Sequence, residues 1–151
     1  MAASGGTFDT NEPLLKDLLE EIHDAEVQLP DFQRGWVWDD NHIRSLIASV
    51  TLAYPIGAVM VLQMGGDGVR FLPRLFEGVD PEKQGQPEAL VLDGQQRLTS
   101  LFLALMSGEP VKTKTEKGKD IERFYYLDMA KCLDPEDDRE DAVTVALVEE
   151  R

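Results

Sequence analysis

The sequence predicts an α/β domain, a small mixed β-sheet flanked by helices. Apolar residues recur at helical spacing in three segments, around 14–22, 43–50 and 98–105. Between them lie short apolar runs of strand length, set off by glycine- and proline-rich turns. A chain of 151 residues with 42% hydrophobic content is long enough to bury one ordinary core and short for two.

Residues 1–10 read as a disordered start. Leu14, Leu15, Leu18, Leu19 and Ile22 then share one face of a first helix, with Asn11 and Pro13 suited to its beginning. Val27 to Pro30 reads as a short extended piece. In the following FQRGWVW, Phe32, Trp36 and Trp38 fall at even, strand-like spacing. Asp39 or Asp40 suits the N-cap of a second helix, whose stripe of Ile43, Leu46, Ile47 and Val50 ends before Pro55. GAVMVLQM, VRFLPRL and ALVL are strand candidates, the first two joined by a Gly-Gly-Asp-Gly turn. EGVDPEKQGQPE is a polar surface loop. DGQQR opens a third helix, with Leu98, Leu101, Phe102 and Leu105 on one face. Ser107 to Glu122 shows no apolar pattern and is rich in lysine, which predicts an exposed, mobile connection before RFYYLDM resumes as a strand. From Asp134 the chain turns acidic, and AVTVALV near the end has no evident partner. The expected organisation is a disordered 1–10, a domain over 11–133, and an acidic 134–151 that opens the next part of a longer protein.

Composition narrows the function classes. A net charge of −14 disfavours a surface that coats DNA through counterion release, so any nucleic-acid contact must be local. No signal peptide and no long apolar run can be read, and a single cysteine, Cys132, allows no internal disulfide. These three features point to the cytoplasm and away from a membrane. Two histidines, His23 and His42, are too few for the common zinc clusters. Gly-x-x-x-x-Gly-Lys-Ser/Thr is absent, as is a His-Asn-His nuclease constellation.

The chemistry concentrates at Leu90 to Arg97, where an apolar strand runs straight into a helix. Such junctions present backbone N–H groups and a partial positive charge to anions. A purely structural reading makes Asp93 and Gln96 a capping box and Gly94 the turn. Arg97 is less easily absorbed, because a cation in the first turn opposes the helix dipole by up to about 1 kcal/mol. A guanidinium beside free N–H groups is a seat for phosphate oxygens. Asp93 would then hold Mg²⁺, which takes one or two carboxylates plus substrate phosphates. Gln95 or Gln96 would orient a water for in-line attack.

FQRGWVW sets Gln33 and Arg34 beside Trp36 and Trp38. The tryptophans suit either stacking on a base of modified DNA or packing in the core. Arg34, in so aromatic a stretch, should meet an acid such as Asp31 or Asp93, or a ligand phosphate. His42, Arg44, Ser45 and Ser49 mark the solvated side of the second helix, and the lysines of KTKTEKGK a solvated loop.

DGQQRLTSL, with PDFQRGWVW upstream, a helix ending near YPIG and a later YYLD, resembles the N-terminal domain of GmrSD-type, modification-dependent restriction enzymes. The SspE-type defence proteins share that domain, within a ParB/sulfiredoxin-like superfamily. The resemblance covers Leu14 to Asp128. It implies a nucleotide-binding α/β domain with Mg²⁺-dependent NTPase activity in the full-length protein, acting against phage by regulating an HNH-type nuclease that is C-terminal or separate. Carried over by position, Asp93, Gly94, Gln95, Gln96 and Arg97 line the nucleotide site and Gln33 and Arg34 face it. DNA is then reached through the full-length protein, and self-association is the remaining partnership expected. Two other readings stay open: a ParB-like metal-dependent DNA nuclease, and a non-catalytic sensor of modified DNA using Trp36, Trp38 and Arg34.

Overall fold

The computed structural model describes residues 9–65 and 70–148. Helix α1 (Leu15–His23) starts from Leu14 without a side-chain cap, so Asn11 and Pro13 do not begin it; Leu19 and Ile22 are its buried face. Ala25, at φ +61, turns the chain into strand β1 (Val27–Pro30), all four residues of which are buried. Asp39 caps α2 (Asp40–Thr51) by accepting from the His42 amide. Strands β2 (Met60–Gln63), β3 (Pro73–Arg74) and β4 (Ala89–Asp93) lead to α3 (Gln95–Leu105).

These strands form one mixed sheet in the order β2-β4-β1-β3, with β1 and β4 parallel at its centre through Val27↔Ala89 and Gln28↔Leu90. β2 and β3 flank them antiparallel. Central strands buried on both faces should read as continuous apolar runs, as VQLP and ALVL nearly do. The exception is Gln28, fully buried. Its amide donates to Ala25 O and Gly85 O at 2.9 and 3.1 Å, and its oxygen accepts from Gln84. Leu29 and Val91 of this sheet pack with Ile22, Leu98, Leu101, Phe102 and Phe76 in the main core.

A second sheet corrects two sequence expectations. Ser107 to Glu122 is not a mobile connection: β5 (Val111–Lys114) and the start of β6 (Asp120–Leu127) form a hairpin there. Val111 and Thr113 point inward while Lys112 and Lys114 point out, an alternation too short to register among so many lysines. AVTVALV does find a partner. As β7 (Val143–Leu147) it pairs antiparallel with β6 in the order β5-β6-β7. Two short helices, α4 (Met129–Leu133) and α5 (Arg139–Ala142), are capped by Asp128, just after β6, and by Asp138 of the acidic stretch. Among the described residues of VRFLPRL only Pro73 and Arg74 are strand, and FQRGWVW contains none despite its spacing. All of the expected Gly-Gly-Asp-Gly turn but Gly65, and most of the disordered start, lie outside the described residues.

The two sheets meet across α2. Ile43, Ile47 and Ala48 pack on Val111 and Val143, and Trp36 lies against this second core. At the top of α2 the Arg123 guanidinium bonds Asp40 at 2.6 Å and the Tyr125 hydroxyl donates to the other Asp40 oxygen at 2.7 Å. Burial, and then Asp40, hold the Tyr125 phenol above the usual tyrosine range. A pKa raised in the folded state contributes stability that is whole below the unfolded value of about 10 and declines as pH rises past it. Wild type should therefore lose more stability than Tyr125→Phe between about pH 9 and pH 11.5 in urea unfolding. Equal losses would show that the phenol is not held. No helix among the described residues is long and apolar enough to cross a membrane.

Candidate functional site

Strand β4 ends at Asp93, and Gly94 makes the turn into α3 at φ +89, a left-handed conformation that glycine adopts without strain. Gly94 is itself the N-cap and no side chain caps the helix, so the Asp93–Gln96 capping box does not form. The Asp93 carboxylate is exposed, with no hydrogen bond or ion pair among the described residues. A cleft of about 290 Å³ opens at this turn, lined by Gln33, Arg34, Trp38, Asp93, Gly94, Gln95, Gln96 and Arg97. The two motifs, some sixty residues apart in sequence, thus share one site.

Most of the polar side chains of DGQQR face the protein itself. The Gln95 amide donates to Arg34 O. Gln96 binds at both ends, its oxygen accepting from Val37 N at 3.0 Å and its nitrogen donating to Gly35 O at 3.1 Å. Arg97, whose place in the first turn called for a special partner, reaches Ile56 O and Ala58 O, the latter at 2.7 Å. Gly57 lies between those carbonyls at φ +100, where a Cβ would fall 1.8 Å from the Arg97 guanidinium.

The segment 33–37 is irregular backbone whose polar groups are satisfied by side chains from elsewhere. Besides the glutamines, Arg74 donates to Gln33 O and Arg34 O at 3.2 and 3.1 Å, and Glu77 accepts from Trp36 N at 3.1 Å. Gln33 in turn donates to Leu92 O at 2.8 Å, tying the loop to the end of β4. Sequence reasoning missed Arg74, Glu77 and the role of Gly57, since no periodicity singles them out.

Arg34 stands apart. Its backbone is gripped, yet its guanidinium is exposed and meets neither Asp31 nor Asp93 nor any other protein partner among the described residues. Trp36 is half-buried in the second core and its indole N–H donates to Ser100 at 2.8 Å. Trp38 lines the cleft with its ring 5.4 Å from that of His42, while its carbonyl accepts from Thr113. His42 bonds Asp39 at 2.7 Å, and its amide and ring hold that carboxyl below the usual range. No group of three or more histidine, cysteine or acidic residues that could hold a metal occurs among the described residues.

A family model, the N-terminal domain of GmrSD restriction endonucleases, matches residues 15–148. An uncharacterized protein of Methanocaldococcus jannaschii is 34% identical over 134 residues, which is 85% of this chain and 22% of that protein. The chain thus spans a minor part of the curated relative that it matches. No solved structure matches. The family match takes in both sheets and both motifs of the cleft, and the chain belongs to the family of GmrSD restriction endonuclease N-terminal domains.

Proposed function

We propose that this domain binds a Mg²⁺-nucleoside triphosphate in the cleft at the β4–α3 turn. In this reading the full-length protein hydrolyses the nucleotide, and nucleotide state regulates a DNA-cleaving domain or partner of a modification-dependent restriction system active against phage. The observation that carries it is the unpartnered Arg34 guanidinium on the same cleft as the free Asp93 carboxylate and the first turn of α3. A guanidinium binds phosphate oxygens through paired charge-assisted hydrogen bonds. The first-turn amides of α3 lack intrahelical acceptors and favour the same anion. A volume of about 290 Å³ suits the phosphates, leaving the nucleoside to rest toward Trp38.

One carboxylate, with no cluster around it, suits a cation that arrives with the nucleotide. Mg²⁺, when bound, would spread the charge of the phosphate oxygens. Asp93 holds the metal side of the ligand and Arg34 the phosphate side. Gln95 keeps an amide oxygen without a partner among the described residues and is the candidate for orienting the attacking water, whereas both ends of Gln96 are engaged. Gln96 and Arg97 act through the loops they hold.

Isothermal titration of ATP, GTP, CTP and UTP, each with Mg²⁺, tests the reading. Charge-assisted bonds to phosphate contribute about 1.5–3 kcal/mol, so Arg34→Ala should raise Kd about tenfold to a hundredfold. Asp93→Ala should abolish the Mg²⁺ dependence and, in the full-length protein, hydrolysis. Absence of binding to the wild-type chain, or unchanged affinity in both variants, would overturn the proposal.

A further inference from the structure

We propose that Arg74 and Glu77 are positioning residues of this site, holding the backbone from which Arg34 projects; the inference rests on the nucleotide reading above. The two side chains work as a pair. Arg74 follows Pro73 in β3, Glu77 lies three residues on, and they face each other at 3.5 Å, both about one-third exposed or less. One Arg74 nitrogen reaches the carbonyls of Gln33 and Arg34 together. Glu77 takes the Trp36 amide two residues further along. Arg34 O also accepts from Gln95, so donors from β3 and from α3 converge on the carbonyl of the residue whose guanidinium faces the cleft.

An irregular segment has no ladder to set its geometry, and each of these peptide groups would otherwise bond to water and sample many conformations. A guanidinium that must meet phosphate oxygens in a fixed direction gains from a fixed backbone, and a displacement of about 1 Å can cost orders of magnitude in function. One Glu77 oxygen takes the Trp36 amide and faces Arg74, and the other is buried with no partner among the described residues, so the carboxylate serves this segment rather than solvent.

The test is titration of Mg·ATP and Mg·GTP into the full chain carrying Arg74→Ala or Glu77→Gln, alone and combined with Arg34→Lys. Glu77→Gln keeps an acceptor for Trp36 N while losing the charge that faces Arg74, and serves if Arg74→Ala fails to fold. Arg74→Ala should raise Kd about tenfold or more, and Glu77→Gln by a smaller factor. Beside Arg34→Lys, whose flexible ammonium needs no exact direction, either factor should shrink below about twofold. Unchanged affinity in both single variants, or factors undiminished in the Arg34→Lys background, would overturn the inference. If the wild-type chain binds neither nucleotide, the nucleotide reading itself fails. Amide exchange at Trp36 then decides the positioning role: faster exchange in Arg74→Ala than in wild type upholds the hold on the segment, and equal rates remove it.

Discussion

Asp40→Ala will destabilise the protein by about 3–5 kcal/mol, the cost of leaving a buried charge without its counterion. Asp40 is 5% exposed, and its two oxygens serve Arg123 and Tyr125 from the second sheet. Removing the carboxylate strands the guanidinium, whose Nε is already buried with no partner among the described residues, and deprives the phenol of its acceptor. A stranded charge rather than a lost favourable pair accounts for most of that figure, because buried ion pairs are themselves near neutral against well-packed apolar residues. Asp40→Ala combined with Arg123→Leu should therefore recover much of the loss. Urea unfolding checks both, and a single-variant loss below about 1 kcal/mol would mean that Arg123 finds water instead.

Gly57→Ala will cost about 3 kcal/mol or more in stability. Two effects add. The backbone at φ +100 lies outside the region open to L side chains, a strain of about 1–3 kcal/mol. The new Cβ would also stand 1.8 Å from the Arg97 guanidinium, which must leave Ile56 O and Ala58 O to escape. Each bond to a charged donor contributes about 1.5–3 kcal/mol. Gly65→Ala is the control, since Gly65 has φ +106 but nothing among the described residues within 4 Å of its Cβ position. Unfolding free energies should differ between the two by roughly the contribution of the arginine clamp, and similar losses would show the clamp to be idle.

Where local chemistry governs, the sequence was legible. The Asp39 cap, the extended Val27–Pro30, the strand-turn-helix at 93 and the face of Leu98, Leu101 and Phe102 all follow from short-range patterning. Long-range partners were not. Arg97 looked misplaced at a helix start because its acceptors lie 39 and 41 residues upstream. The even spacing of Phe32, Trp36 and Trp38 imitated a strand, although tertiary side-chain bonds set that backbone. β5 and β7 were hidden for a related reason, since pairing with β6 does not show in their own composition. Around the cleft, the structure brings the two motifs together, while the division between side chains that grip the protein and those that stay free depends on tertiary contacts that no local pattern encodes.

The side chains that hold residues 33–37 come from positions 74, 77, 95 and 96, all downstream of the loop they shape. A chain growing on the ribosome has made Arg34 long before it makes its supports, and the parallel pairing of β1 with β4 must also wait for residue 89. The cleft is consequently a late product of synthesis, absent until α3 has emerged. A nascent chain can carry an intact FQR sequence and still lack the cleft that the sequence helps to line.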